Sequence, residues 1–383
     1  MKQLLSILLF VSSATVASAQ QYNDAAKDSM QASQLSVNPA RSKFLLTGYS
    51  AVTIESDGKE KFNIGQLGFS PIFLWKPSKN IFFEAEPEME LNGEELEIGL
   101  EYANISYIMN KYITLRAGKF LAPFGIFQDR LHASWINKLP TVPLGFGHDG
   151  VGTSAEIGLA LSGGIPIGPS KMNYAVYVSN GPQLNTGEDE PGEEGMLIYE
   201  NSLDNNLNKA LGGRLGILPF SNSSLELGGS AQYAMIGDEG SNYENVTSLM
   251  YSADLSFTQQ VDFLKGALDV KAQMNAVNVS KADYNDPDDS TGLQLYTYNN
   301  NRSIIFGQLA YRPAMLNNKV LKNFETVFRY SVLDLPEGAK ENEDVSQIAI
   351  GLNYWITWRS VIKFAYQKTG HQENYFLQFA TSF

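Results

Sequence analysis

The sequence predicts an all-β protein: a transmembrane, antiparallel, up-and-down β-barrel of about 16 strands with an inward-folded third outer loop. Three observations carry this. Segments of about ten residues in which apolar and polar side chains alternate recur from residue 44 to residue 383, as in strands with one wet and one greasy face. Connections of one parity are mostly long and acidic, and those of the other parity mostly short. One hairpin, FFEAEPEMELNGEELEIGLEY at 82–102, would carry its carboxylates on one face and only apolar side chains on the other.

Residues 1–19 combine Lys2, an apolar run from Leu4 to Val11 and an Ala17-Ser18-Ala19 cleavage pattern, which reads as a secretory signal peptide. Residues 20–42 are polar and lack a strand pattern. They read as a periplasmic extension, too short for the plug of a TonB-dependent transporter. The barrel is expected over 43–383, with strands at 44–54, 62–75, 80–91, 94–108, 112–120, 151–161, 171–180, 210–219, 223–236, 246–258, 262–279, 303–312, 322–333, 345–357, 360–369 and 373–383. Alternation is clear where Phe324, Thr326, Phe328, Tyr330 and Val332 stand against Glu325, Arg329 and Ser331. The polar members belong in a wet lumen. With the N-terminus in the periplasm, odd connections such as 121–150, 181–209 and 280–302 fall outside, while the even ones are short apart from 162–170 and 313–321. The closing stretch NYFLQFATSF alternates once more and ends on Phe383. This resembles the C-terminal signature read by the assembly machinery of Gram-negative outer-membrane barrels.

In the acidic hairpin, Asn92-Gly93 suits a type I′ turn, which needs φ > 0 at both central positions. Folding there sets Glu90 opposite Glu95, Glu88 opposite Glu97, Glu86 opposite Gly99 and Glu84 opposite Glu101. Glu84, Glu86, Glu88, Glu90, Glu95, Glu97 and Glu101 then share one face. Facing lipid, each carboxylate would cost on the order of 1–3 kcal/mol, so the row is expected to form an acidic wall of the lumen. Carboxylates ~7 Å apart along a strand and about 5 Å apart across it need counter-charges, and such a wall favours cations.

The third outer connection, 121–150, is built differently from its acidic neighbours. Proline and glycine punctuate its ends, and 127–139 could form a short helix with Phe127, Leu131, Trp135 and Leu139 along one face. LRAGKFLAPFGIF at 115–127, followed by RLHASWINKLPTVPL, resembles the phosphate-selective porin O and P family and porin-like outer-membrane proteins of Bacteroidetes. The similarity is strongest over roughly 95–150. It implies a water-filled barrel in the bacterial outer membrane, through which small hydrophilic solutes or ions diffuse passively. The family's anion preference does not carry over, because its basic channel residues cannot be matched here one by one and the clearest lumen ladder is acidic. Arg130 and Lys138, with Arg116 nearby, are expected to face the acidic wall and set a transverse field across a cation-favouring constriction. The alternative is a salt-bridge network that pins the loop with little effect on permeation. His132 belongs to the same loop and is expected to pack beside Trp135.

A net charge of −13 argues against nucleic acid as a partner, and the absence of cysteine excludes disulfides and thiolate metal sites. His132, His148 and His371 are the histidines available as a general base, but no nucleophile elbow or H-E-x-x-H pattern accompanies them. A barrel hydrolase is therefore the weakest alternative. The other is a non-channel barrel plugged by 121–150 and 181–209, with a structural or surface-interaction role. NDPDDSTG at 285–292, with Asp286, Asp288 and Asp289, resembles a Ca²⁺ loop in composition but lacks its closing glutamate. It reads as a solvated outer loop, and no metal or cofactor is expected. Phe44, Tyr112, Phe220, Trp355, Trp358 and Phe383 stand near strand ends as interface aromatics. The expected partners are outer-membrane lipid and lipopolysaccharide, the barrel-assembly machinery through Phe383, and small solutes or ions. Trimers are common among porins, yet no strand marks itself as an interface.

Overall fold

The computed structural model describes residues 43–383 apart from 59–61, 94, 148–149, 188–192, 200–201, 287, 289–293 and 340–343. The expected signal peptide and periplasmic extension lie outside the described residues. The barrel unit comprises Phe44–Lys76 and Asn80–Phe383. Its first strands are β1 (Lys43–Ser56), β2 (Phe62–Lys76), β3 (Ile81–Asn92), β4 (Glu95–Ile108) and β5 (Thr114–Leu121). A one-turn helix, α1 (Phe127–Leu131), interrupts before β6 (Ala155–Ile167) and β7 (Ser170–Ser179). Two short strands, β8 (Gln183–Leu184) and β9 (Leu197–Ile198), pair with each other outside the barrel sheet. Then come β10 (Ala210–Leu218), β11 (Leu225–Met235), β12 (Thr247–Val261) and β13 (Gly266–Val279). A second small pair, β14 (Tyr284–Asn285) with β15 (Leu295–Tyr296), precedes β16 (Asn301–Arg312), β17 (Phe324–Asp334), β18 (Val345–Trp355), β19 (Ser360–Thr369) and β20 (Gln372–Ser382). The sixteen longer strands pair antiparallel in chain order, and β1 closes on β20 from Tyr49↔Ser382 to Ser56↔Tyr375.

Alternation sorts the side chains as a water-soluble sheet would not. On β16–β18, Leu309, Phe328, Tyr330, Ile348, Ile350 and Leu352 are exposed on the outside, while Gln308, Glu325, Arg329, Ser331, Gln347 and Asn353 are buried within. With apolar side chains outward and polar ones inward, the barrel suits lipid around it and water in it. No helix among the described residues is long and apolar enough to cross a membrane.

Four expectations change in detail. The 162–170 connection shrinks to a two-residue turn, because β6 runs on to Ile167, which pairs with Ser170 across Gly168 (φ +59°). The predicted strand 262–279 begins instead with a 3-10 turn at Asp262–Leu264. The acidic hairpin turns later than its Asn-Gly dipeptide suggests: Asn92 pairs with Glu95 and Glu90 with Glu97, and Glu88 lies opposite Gly99. A bulge between Glu86 and Pro87 then shifts the register, setting Glu86 opposite Tyr102 and Glu84 opposite Asn104. Proline has no N–H for the ladder. Glu101 is the extra residue on β4, between the Pro87↔Leu100 and Glu86↔Tyr102 pairs, and it is buried together with Asn104 and Ser106. Finally, Trp355 is not an interface aromatic: its indole N–H donates to Glu325 Oε2 at 3.0 Å. Phe44, Tyr112, Phe220, Trp358 and Phe383 are exposed, as that role needs.

Candidate functional site

The 121–150 segment runs along the polar side of the barrel, held by side chains from strands far apart in the sheet. Gly125 N–H donates to Ser230 Oγ on β11 at 3.0 Å, and the Ile126 and Phe127 amides both donate to Gln273 Oε1 on β13 at 2.8 Å. These orphan amides of α1 are thus satisfied from another strand. Gly125 has φ +70°, and a Cβ there would lie 1.9 Å from Gln273 Nε2, so only glycine makes this approach. Phe127 is buried against Phe146 and Phe306, with ring centroids 5.3 and 6.0 Å away.

Beyond α1 the predicted helix does not continue to Leu139, and side chains from other strands donate to the carbonyls of the stretch that follows. Lys363 on β19, buried, donates to Ser134 O and, at 2.6 Å, to Asn137 O. Arg329 on β17, also buried, donates to Thr141 O at 2.9 Å and Val142 O at 2.8 Å. Asn353 on β18 donates to Lys138 O at 2.8 Å. Leu139 is buried beside Ala310, Val327, Ala349 and Ala365.

The loop's long cations follow the same direction. Arg130 reaches Glu226 on β11 with Nη1–Oε2 at 2.7 Å and Nη2–Oε1 at 3.2 Å, and it also touches Asp129. Glu226 in turn accepts from Arg214 at 3.0 Å, whose other nitrogens bind Asp254 at 2.6 and 3.2 Å. Lys138 pairs with Glu325 on β17. The expectation that Arg130 and Lys138 face the β3–β4 carboxylates is therefore corrected: both reach carboxylates on other strands, contacts 96 and 187 positions away in sequence.

Near the acidic wall stand Arg116 and His132. Arg116 lies 3.7 Å from Glu84. Glu86, 1 % exposed, accepts a 2.6 Å hydrogen bond from Tyr49 on β1. Glu90 accepts from Gln66 and Glu101 from Gln128, each at 2.8 Å. Glu95 and Glu97 lie exposed toward the turn of the hairpin. His132 places Nδ1 2.6 Å from Gln128 O and Nε2 4.0 Å from Glu86 Oε1. Burial opposes protonation of this ring, but Glu86, Glu101 and the Gln128 carbonyl outweigh it and hold its pKa above the ordinary value. The Arg130 guanidinium is also desolvated, yet Glu226 and Asp129 keep it more firmly charged than usual.

Three cavities follow this side of the loop. One of about 230 Å³ is lined by Tyr49, Thr53, Glu88, Glu90, Glu101 and His132. A second, of about 310 Å³, is lined by Glu84, Glu86, Tyr102, Asn104, Arg116 and His132. A third, of about 400 Å³, meets Thr53, Glu55, Gln66, Pro140 and Thr141. Elsewhere the interior is packed: Phe124, Leu184, Ile236, Met250, Val277 and Ile304 form one buried cluster. It joins a group of rings in which Tyr284 lies 6.1 Å from Tyr243 and 5.3 Å from Tyr298.

Nothing in the local sequence marks Tyr49, Glu226 or Gln273 as a partner of the loop or wall, although Gln273 alternates with Ala272 and Met274 as a lumen residue. Lys363, flanked by Ile362 and Phe364, carries the period-2 signal of a lumen position, but nothing local names its partners. In the outer loop, Asp288 N–H donates to Asp286 Oδ1 at 3.0 Å, while Asp289 and His148 lie outside the described residues. His371 borders a separate cavity with Asp57 and Glu373. No group of three or more metal-ligating side chains gathers among the described residues.

No family model matches the sequence, and no characterised protein matches it at sequence level. Solved structures do match. OmpF of Salmonella typhi, in complex with daunomycin, superposes with a TM-score of 0.57 at 11 % identity over 91 % of this chain and 99 % of that one. The outer membrane channel DcaP of Acinetobacter baumannii gives 0.56 at 14 % over 90 % and 98 %. The anion-selective porin from Comamonas acidovorans gives 0.54 at 12 % over 90 % and 100 %. At these identities the likeness is one of fold, a 16-strand barrel.

Proposed function

We propose that the chain is an outer-membrane porin for passive diffusion of small hydrophilic solutes or ions, favouring cations. The observation that carries this is the set of cavities between the β1–β4 wall and the loop, lined by Glu84, Glu86, Glu88, Glu90 and Glu101. Sixteen strands enclose more space than side chains alone fill, and the loop is drawn toward the other strands by Lys138–Glu325, Arg130–Glu226, Arg329 and Lys363. What passes therefore meets carboxylates, with Arg116 and His132 as the nearby basic groups. The solved barrels of similar fold include a channel and an anion-selective porin, which supports a pore and leaves its sign to the residues here. The likeness of 115–127 to phosphate-selective porins supports the placement of the loop and lends no anion preference. Lipid and lipopolysaccharide would surround the barrel, and the process involves no bond-making.

A plugged, structural barrel is the second reading, favoured by the buried cluster around Met250 and Tyr284. Single-channel recording of the refolded protein in a planar bilayer under a KCl gradient separates the two. Ohmic steps with a cation-selective reversal potential support the pore, silence from a folded barrel supports the plug, and anion selectivity keeps the pore but rejects the acidic wall.

A further inference from the structure

His132 is placed where its two nitrogens make opposite demands. A carbonyl oxygen only accepts, so Nδ1, 2.6 Å from Gln128 O, carries hydrogen. In the neutral ring the lone pair then sits on Nε2. That atom is buried without a hydrogen-bond partner and lies 4.0 Å from Glu86 Oε1. A lone pair directed at a carboxylate is repelled, whereas a proton on Nε2 turns the same contact into an attraction.

Position gives that proton a role in permeation. His132 and Tyr49 line both the 230 Å³ and the 310 Å³ cavities, so the ring stands between them. The charged and titratable groups bordering these cavities are Tyr49 on β1; Glu84, Glu86, Glu88 and Glu90 on β3; Glu101 and Tyr102 on β4; Arg116 on β5; and Asp129 on its own segment. Arg116 is set beside Glu84, and the loop's other described cations, Arg130 and Lys138, are engaged by Glu226 and Glu325. Among its described residues the loop therefore presents one titratable cation to the wall, His132.

We propose that His132 is the specificity-determining residue of this passage: as an imidazolium it offsets the Glu86 and Glu101 carboxylates and blunts cation preference, and loss of its Nε2 proton uncovers the wall's negative charge. This deepens the pore reading and rests on it. The sign follows directly. The imidazolium is retained up to its raised pKa and lost as pH climbs through that value, so cation preference rises with pH there. The carboxylates lose charge in acid, so the window to examine lies above pH ~6.

The test is the K⁺/Cl⁻ permeability ratio from reversal potentials between pH 6 and 9.5, for the wild type and His132→Gln, with folding checked by heat-modifiable gel migration. The wild-type ratio is expected to rise about twofold or more, and His132→Gln to hold the high-pH ratio throughout. A second readout does not depend on conduction. The chain has three histidines, and carbon-13 imidazole NMR of the refolded barrel assigns His132 by its loss in His132→Gln. Its titration midpoint is expected to fall in Glu86→Gln. A conducting barrel with a flat ratio, a rise that persists in His132→Gln, or a midpoint indifferent to Glu86→Gln overturns this proposal alone. A silent barrel overturns the pore reading and this proposal with it.

Discussion

On β10–β12 the inward charges are matched, Arg214 shared between Glu226 and Asp254 and Glu226 shared again with Arg130 of the loop. β3 and β4 carry seven carboxylates, with Arg116 beside Glu84, a histidine beside Glu86, and Tyr49, Gln66 and Gln128 donating to Glu86, Glu90 and Glu101. Both regions face the same interior, yet one has been given to holding the loop and the other to lining the space it leaves. Charge that is paired and desolvated fixes structure, while charge beside open volume acts on what moves through it. On the proposed pore reading, the difference puts permeation on one side of the loop and anchoring on the other.

Four variants probe the two walls separately. Asp254→Asn leaves Arg214 buried with half its compensation and should cost about 3–5 kcal/mol, read by urea unfolding of the refolded barrel; unchanged stability would mean this wall is not an anchor. Gly125→Ala forces a side chain into a left-handed backbone and onto Gln273, and should cost about 1–3 kcal/mol in the same assay. The Glu84/Glu86/Glu88→Gln triple variant should fold normally but lose roughly threefold of its K⁺/Cl⁻ preference, read from the reversal potential. Arg130→Gln sharpens the contrast: because its guanidinium points to Glu226, selectivity should stay within about twofold of wild type. A large change there would bring back the transverse-field arrangement.

The strand pattern was legible because lipid and water enforce a period of two on every crossing segment, so sixteen strands could be counted from alternation and connection length alone. The hairpin register was not. Asn92-Gly93 signals a turn, but the bulge beside Pro87 depends on how β4 meets both its neighbours and on Glu101 reaching Gln128. Nor could the loop's partners be read. Arg130 and Lys138 are visible as cations, and Glu325 and Arg329 as lumen residues, yet which meets which is settled by the curvature of the closed sheet, across contacts 96 to 229 positions apart. The helix predicted over 127–139 stops at Leu131, and the Ser134 carbonyl, which a continued helix would offer to residue 138, is taken by Lys363, a buried cation that needs acceptors.

The seam between β1 and β20 has a consequence for the order in which the molecule forms. Every other barrel pairing joins strands consecutive in the sheet's chain order, whereas Thr47 Oγ1 donates to Phe383 O and Phe383 N–H donates to Gly48 O, with Phe69 stacked on the terminal ring at 5.7 Å. The first of these contacts spans 336 positions. Loop closure over such a distance costs entropy that nearest-neighbour hairpins do not, so the seam is expected to zip last. Until it does, two unpaired edges stand open to any strand that can reach them, and association between half-made copies competes with closure for the time that this one step takes.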